Sequence, residues 1–306
     1  MIILKVVYIK ETDKTCDIVK VIVIKIRKIL NIIKMQEDKK KIIYYIPVFN
    51  DTKISKLRTK KIVKKIIKLL EKEETYNVAL SECLENNELF KNYLYSGNIN
   101  ILDGRFLFKC LINKILKYLF EITDKEMKRG EVSLLINDFT DINKEIIIDI
   151  AKNIKRLNIV TNHMERCKKL EQYLYNEFGI ILNVLNNKNK SLSESEIIIN
   201  IDFAEETVNK YRIYDKAIIV NINDNISLKS KRFNGINANY YKIKIMDRNI
   251  IEGFRDEVVY ESMLYGNTYK FINEKITKDK IEINKLIGNN GIITRNEIKN
   301  VEDGLC

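Results

Sequence analysis

Four carboxylates and one histidine stand at the ends of apolar segments, where ligands of parallel sheets bind. Asp202 follows the segment EIIINI, and Asp103 follows the segment NINIL. Each is either a carboxylate at a ligand-binding edge or a turn residue. Asp138 and Asp141 are either helix caps, which we favour, or metal-binding or catalytic groups. His163 either contacts a ligand at this edge or lies on the surface at a helix start. The sequence assigns no catalytic residue.

The cysteine and histidine residues do not form the sequence pattern of a metal site or of a disulfide framework. The five cysteines are an odd number without CxxC spacing, which indicates reduced thiols in a cytoplasmic protein. A single histidine excludes a site built from two imidazoles of one chain, and no metal site is predicted. No uncharged apolar run is long enough for a transmembrane helix, and the opening MIILKVVYIK is unlike a signal peptide.

The polar residues are positioned by a series of apolar segments that alternate with helical ones. This alternation predicts an α/β fold with a doubly wound parallel sheet. The predicted strands of that sheet are VSLLIN (132–137), LNIVTN (157–162), IILNVL (180–185), EIIINI (196–201) and KAIIVNI (216–222).

A second, smaller α/β unit is predicted ahead of it. Strands at 41–49, 76–81 and 98–104 alternate with helical segments, and the polar MKRG at 127–130 marks the boundary. Met35 is an alternative start of the folded part. The predicted divisions are an uncertain N-terminal extension (1–34), a small α/β domain (35–127), a doubly wound α/β domain (128–250) and a C-terminal helix with a polar tail (251–306).

The order of elements in residues 131–222 resembles the NAD(P)-binding Rossmann-like domain of the shikimate dehydrogenase and glutamyl-tRNA reductase kind. The resemblance rests on the second strand ending VTN, the loop SLSES and the strands EIIINI and KAIIVNI. In that family the second strand ends near the adenosine phosphate. The cofactor-binding residues that the resemblance implies are Asn137, Asp138, Thr161, Asn162, His163, Arg166 and Asp202.

The loop after the first of these strands departs from the family. Rossmann domains cradle the pyrophosphate with G-x-G-x-x-G, because only glycine lets the backbone approach the phosphates closely. Here the loop at 137–141 reads NDFTD, and no glycine occurs between Gly130 and Gly179. Its two aspartates would repel a pyrophosphate. We therefore assign no cofactor. NAD(P) is the candidate that the resemblance suggests, and the composition of this loop disfavours it.

The first functional interpretation is a noncatalytic or regulatory Rossmann-like binding protein that has lost the phosphate-binding glycine loop. Its ligand would be a protein partner or a small nucleotide-like molecule. The alternative is an NAD(P)-dependent oxidoreductase with an atypical phosphate loop, in which Thr161, Asn162 and Arg166 contact the adenosine side. The sequence does not determine an oligomeric state.

Charge gives a further alternative. Residues 1–72 hold 20 Lys/Arg and 7 Asp/Glu, a balance of +13, so the chain total of +12 leaves −1 for the remainder. Basic residues concentrate at 53–68, which either form a solvated helix face, the interpretation we favour, or bind nucleic acid or another anionic surface.

Overall fold

The computed structural model describes residues 6–12, 33–38, 41–46, 55–186, 192–228, 233–245, 251–289 and 291–303. The strands are β1 (Val6–Glu11), β2 (Lys34–Asp38), β3 (Lys41–Ile46), β4 (Asn77–Leu80), β5 (Asn100–Leu102), β6 (Glu131–Leu135), β7 (Arg156–Val160), β8 (Leu182–Leu185), β9 (Ile197–Asn200), β10 (Ile218–Asn221), β11 (Ile236–Lys244), β12 (Glu282–Gly288) and β13 (Gly291–Ile292).

The helices are α1 (Lys56–Lys72), α2 (Glu82–Glu85), α3 (Glu88–Tyr95), α4 (Arg105–Cys110), α5 (Ile112–Ile122), α6 (Asp141–Ala151), α7 (Met164–Phe178), α8 (Glu205–Val208), α9 (Asp256–Leu264), α10 (Tyr269–Lys278) and α11 (Arg295–Asp303), with a short 3-10 turn at Met127–Arg129. The segment 13–32, part of the SLSES loop and Lys53 of the basic cluster lie outside the described residues.

The chain forms two compact units. Unit 1 comprises residues 1–107 and 248–267, and unit 2 comprises 108–247 and 268–306. The division therefore falls inside α4, about 20 residues before the MKRG boundary that the sequence suggested. The C-terminal segment 251–306 is divided between the two units. Its first helix, α9, belongs to unit 1, whereas α10 and α11 belong to unit 2.

Unit 1 is built on a five-stranded sheet of order β2-β3-β1-β4-β5. All neighbouring strands pair in parallel except β2, which is antiparallel to β3. β1 is central because it pairs with both β3 and β4. The sheet of unit 1 therefore includes residues ahead of Met35.

Both faces of β1 are covered, as the alternation of its side chains requires. Val7 and Ile9 belong to a core cluster that also contains Ile62 of α1. Tyr8, on the opposite face, belongs to a second cluster with Val258 of α9. Burial of each such side chain contributes about 1.5–3 kcal/mol, which explains why this short strand is fixed at the centre.

Unit 2 is built on an eight-stranded sheet of order β13-β12-β11-β10-β9-β6-β7-β8. The six strands from β6 to β11 are parallel, whereas β12 and β13 are antiparallel additions. Numbered in chain order, the parallel strands follow 3-2-1-4-5-6, the doubly wound order of a Rossmann-like sheet. The five strands predicted from the sequence are confirmed.

Local sequence explains where the helices of unit 2 begin and end. Gly179 closes α7 at φ +65°, a left-handed conformation that glycine adopts without strain. The prediction that Asp138 and Asp141 cap the helix after β6 needs correction. Thr140 is the N-cap of α6 and its side chain accepts from the Asn143 N–H at 3.4 Å, while Asp141 lies in the first turn and Asp138 does not cap.

Candidate functional site

The topology of unit 2 places one crevice at the carboxyl ends of β6 and β9. The strand order reverses between these two neighbours, and ligands of doubly wound sheets bind at that switch point. The chain leaves β6 through Asn137 and Asp138 and leaves β9 through Asp202. Three of the seven residues implied by the family resemblance therefore meet at the expected position.

Asp202 fills the anion-binding position of this crevice. Its carboxylate accepts two hydrogen bonds from the Asn137 N–H, at 2.8 and 3.0 Å, and one from the Asp138 N–H at 2.7 Å. In a glycine-rich loop these backbone N–H groups would face a phosphate. Here a side chain 64 residues further along the chain satisfies them instead.

The electrostatics of Asp202 reflect this enclosed position. Burial raises the pKa of its carboxyl, and the hydrogen bonds from the Asp138 and Asn137 N–H groups act in the opposite direction. The negative charge of Asp138 raises the pKa further, whereas Lys109 lowers it. Because desolvation is the largest of these effects, the net pKa lies above the ordinary value for an aspartate.

The Asn137 side chain ties the same loop to the end of β7. Its Oδ1 atom accepts from the Asn162 N–H at 2.8 Å and from the Thr161 hydroxyl at 3.4 Å. Thr161 is fully buried, and its hydroxyl oxygen also accepts from the His163 N–H at 3.0 Å. Thr161 is therefore a structural link between two loops.

The remaining implied residues are solvent-facing. Asn162, His163 and Arg166 are all exposed, at the start of α7. His163 is the N-cap residue of that helix, but its imidazole makes no capping hydrogen bond. The structure thus brings Asn137, Asp138, Thr161, Asn162 and Asp202 into one hydrogen-bonded group, and leaves the His163 and Arg166 side chains at its border.

A network of asparagines that the sequence pattern did not predict lies at the same sheet edge. Asn221 is fully buried, and its Nδ2 group donates to Asn237 Oδ1 at 2.7 Å and to Asn239 Oδ1 at 2.9 Å. Asn200 donates to Asn221 Oδ1 at 3.1 Å, and Asn239 donates to Asn289 Oδ1 at 2.6 Å. One feature of the sequence could have indicated the network, because β9 (IIIN) and β10 (IIVN) both end in asparagine after a run of β-branched residues.

The switch point of unit 1, between β1 and β4, is also closed by the chain itself. Ser81, fully buried, donates a hydrogen bond to the nearly buried Glu11 carboxylate. Gly253 lies over Lys10, where a Cβ atom would come within 2.9 Å of Lys10 Cε. The Gly253 carbonyl accepts from the Glu82 N–H at 3.0 Å, so this segment lies across the carboxyl edge.

Two further carboxylates of unit 1 have internal partners. Arg255 contacts Glu85 through two hydrogen bonds of 2.6 and 3.0 Å, the bidentate arrangement that guanidinium and carboxylate groups favour. Glu261 of α9 is 2% exposed and accepts from the Leu107 N–H at 3.1 Å. Burial raises the pKa of Glu261 to about 8, with a backbone hydrogen bond opposing the shift.

A groove of about 940 Å³ lies elsewhere in unit 2, between α6 and α10. Asp141, Glu145 and Asp149 line its α6 side, and Lys270 and Lys278 line its α10 side. None of the seven implied cofactor residues borders it. Within the ranges that the structure describes, no group of three His, Cys, Asp or Glu side chains is placed to hold a metal ion, and no helix has the length and apolar character to cross a membrane.

No protein-family model and no curated protein matches the chain. Among solved structures, L-tryptophan dehydrogenase from Nostoc punctiforme is 10% identical with a TM-score of 0.35, covering 99% of this chain and 80% of that one. Ornithine carbamoyltransferase from Pyrococcus furiosus is 10% identical with a TM-score of 0.27, covering 71% and 72% respectively. Likenesses with such low TM-scores carry no argument about fold or function.

Proposed function

We propose that unit 2 is a noncatalytic or regulatory Rossmann-like binding module. It would be a relative of the NAD(P)-binding domains of the shikimate dehydrogenase and glutamyl-tRNA reductase kind in which the phosphate-binding glycine loop is lost. The observation that carries the proposal is the Asp202 carboxylate, which accepts hydrogen bonds from the Asn137 and Asp138 N–H groups.

An internal carboxylate at this position opposes a dinucleotide in two ways. A pyrophosphate would have to displace Asp202, which already makes charge-assisted hydrogen bonds of 2.7 to 3.0 Å with the loop. It would also approach the exposed Asp138 carboxylate, and the Coulomb interaction between like charges is repulsive. The usual gain from backbone N–H groups at the phosphate is therefore largely absent.

The exposed residues at the end of β7 support binding of another kind. Asn162, His163 and Arg166 offer hydrogen-bonding groups to solvent beside the closed crevice. A protein partner, or a small nucleotide-like ligand that lacks a pyrophosphate, would reach them without displacing Asp202.

Calorimetric titration of the full chain with NAD⁺, NADH, NADP⁺ and NADPH tests the proposal. We expect no saturable heat up to millimolar cofactor. Micromolar binding of any of the four would overturn it. A cofactor-dependent rise in melting temperature that disappears in Asn162→Asp would instead favour the alternative, an NAD(P)-dependent oxidoreductase with an atypical phosphate loop.

A further inference from the structure

The outward face of α1 carries an ordered set of lysines. This 17-residue helix contains seven lysines, and all of them are exposed. Five of them follow one another at intervals of four residues, at positions 56, 60, 64, 68 and 72, and Lys61 and Lys65 lie beside this row. Glu71 is the only acidic residue that the helix contributes.

Of the lysine row only Lys72, in the last turn, complements the helix dipole. Lys56 lies in the first turn, where a cation opposes the helix dipole and where α1 has no acidic residue. Lysines four residues apart repel one another. A polyanion bound along α1 would relieve this repulsion.

A general excess of lysine does not account for the row either. Residues 1–72 carry a balance of +13, from 20 Lys/Arg and 7 Asp/Glu, and the remaining residues hold 34 and 35. A compositional bias alone would distribute the positive charge along the whole chain.

The shape and chemistry of this face identify the partner. An α-helix rises about 6 Å over four residues and turns by about 40° at each such step, so the row is about 24 Å long and winds around the outward half of α1. Duplex nucleic acid carries about one charge per 1.7 Å of its axis, which supplies several phosphates to a lysine face of this length. The exposed side chains of α1 are lysines, Leu57 and Glu71, with no aromatic ring to stack on bases and no amide to read their edges. Arg58, the one guanidinium of the helix, is only partly exposed.

The apolar side of α1 argues against insertion into a membrane. Ile62, Ile66 and Leu70 are fully buried in the core of unit 1 and are not free to enter lipid. Leu57, at 75% exposure, is the exposed apolar residue of the helix. Membrane-surface helices bury an apolar face between the headgroups, and this helix has already placed that face inside the protein.

We propose that the lysine face of α1 binds the phosphate backbone of a double-stranded nucleic acid without reading its sequence. This role is independent of the crevice in unit 2, and it develops the alternative in which the basic residues at 53–68 bind an anionic surface.

Fluorescence anisotropy with the full chain and two labelled 24-base-pair DNA duplexes of unrelated sequence tests the proposal between 50 and 200 mM NaCl. Five phosphate contacts predict an affinity that falls about 500-fold over this range. The triple variant K60Q/K64Q/K68Q should reduce the slope of log affinity against log salt by about three. Glutamine has a helix propensity close to that of lysine, so the fold is retained.

The matched control is K169Q/K270Q/K278Q, which removes three exposed lysines from α7 and α10. It should leave both the affinity and the salt slope within twofold of the original protein. Equal weakening by the two variants would overturn the proposal, because net charge alone would then explain binding. Failure of the original protein to bind either duplex at 50 mM NaCl, a tenfold preference between the duplexes, or binding to phosphatidylserine vesicles in place of DNA would also overturn it.

Discussion

The Oδ2 atom of Asp202 lies 2.7 Å from the backbone nitrogen of Asp138, at the point where the strand order of the larger sheet reverses. This contact places a carboxylate where a Rossmann domain ordinarily receives a phosphate. The crevice of unit 1 has a comparable internal closure, because Ser81 donates to Glu11 there. Each unit therefore keeps the architecture of a ligand-binding sheet while satisfying the polar groups at its switch point from within.

Removing the Asp202 carboxylate should expose the anion site. In Asp202→Ala the Asn137 and Asp138 N–H groups lose their acceptor, and we expect a loss of about 1–3 kcal/mol in the free energy of unfolding. Inorganic pyrophosphate should raise the melting temperature of this variant more than that of the original protein, since it would replace the missing acceptor. Thermal denaturation with and without pyrophosphate measures both effects.

The control for this prediction is Asp224→Ala, which removes an exposed aspartate from the loop after β10. We expect it to change stability by less than about 0.5 kcal/mol and to leave the response to pyrophosphate unaltered. A response of Asp202→Ala equal to that of the control would show that Asp202 does not occupy an anion site.

Glu261 should make stability depend on pH. Its pKa is raised from 4.5 to about 8 in the folded protein by burial, so the folded state holds a proton that the unfolded state has released between these values. The stabilisation is complete below pH 4.5 and is lost as the pH rises through about 8. Glu261→Gln keeps a carbonyl oxygen to accept from the Leu107 N–H and cannot ionise.

Urea denaturation at pH 5.5, 6.5 and 7.5 measures this difference. The free energy of unfolding of the original protein should fall relative to Glu261→Gln by about 1.4 kcal/mol per pH unit. Glu252→Gln changes an exposed carboxylate nearby in sequence and should run parallel to the original protein. A difference between Glu261→Gln and the original protein that stays constant with pH would contradict the prediction.

The asparagine network predicts a large effect at one position. Asn221→Ala removes the donor to Asn237 Oδ1 and Asn239 Oδ1 and the acceptor for Asn200, all at the buried sheet edge. We expect a loss of about 2–4 kcal/mol in the free energy of unfolding.

Asn223→Ala provides the comparison, since Asn223 is exposed two residues further along the chain. Its stability should stay within about 0.5 kcal/mol of the original protein. Equal midpoints of urea denaturation for the two variants would mean that the network does not stabilise this edge.

The lysine row should destabilise the free protein. Lys64 has lysines four residues away on both sides, so Lys64→Gln removes two repulsive pairs and should raise the free energy of unfolding by about 0.4–1 kcal/mol at low salt. The gain should shrink as salt screens the charges. Thermal denaturation at 10 mM and 500 mM NaCl measures it, and a loss of stability at low salt would contradict the assumed repulsion.

Periodicity determined much of the fold before any tertiary contact was considered. The five apolar segments from 132 to 222 predicted five of the six parallel strands of unit 2. The basic segment at 53–68 was visible in the sequence for the same reason, because residues three and four apart lie on the same side of a helix. The missing glycines after β6 were equally visible in the sequence.

Other features depended on contacts between residues far apart in the chain. Asp202 meets Asp138 across 64 residues, and Glu261 meets Leu107 across 154. The central position of β1 followed from its pairing with β3 and β4, which no local pattern encodes. Sequence alone thus determined which segments form strands and helices and that the loop after β6 lacks glycine. Only the tertiary structure decided that Asp202 takes the anion's place, because a carboxylate is drawn to backbone N–H groups once the folded sheet brings the two together.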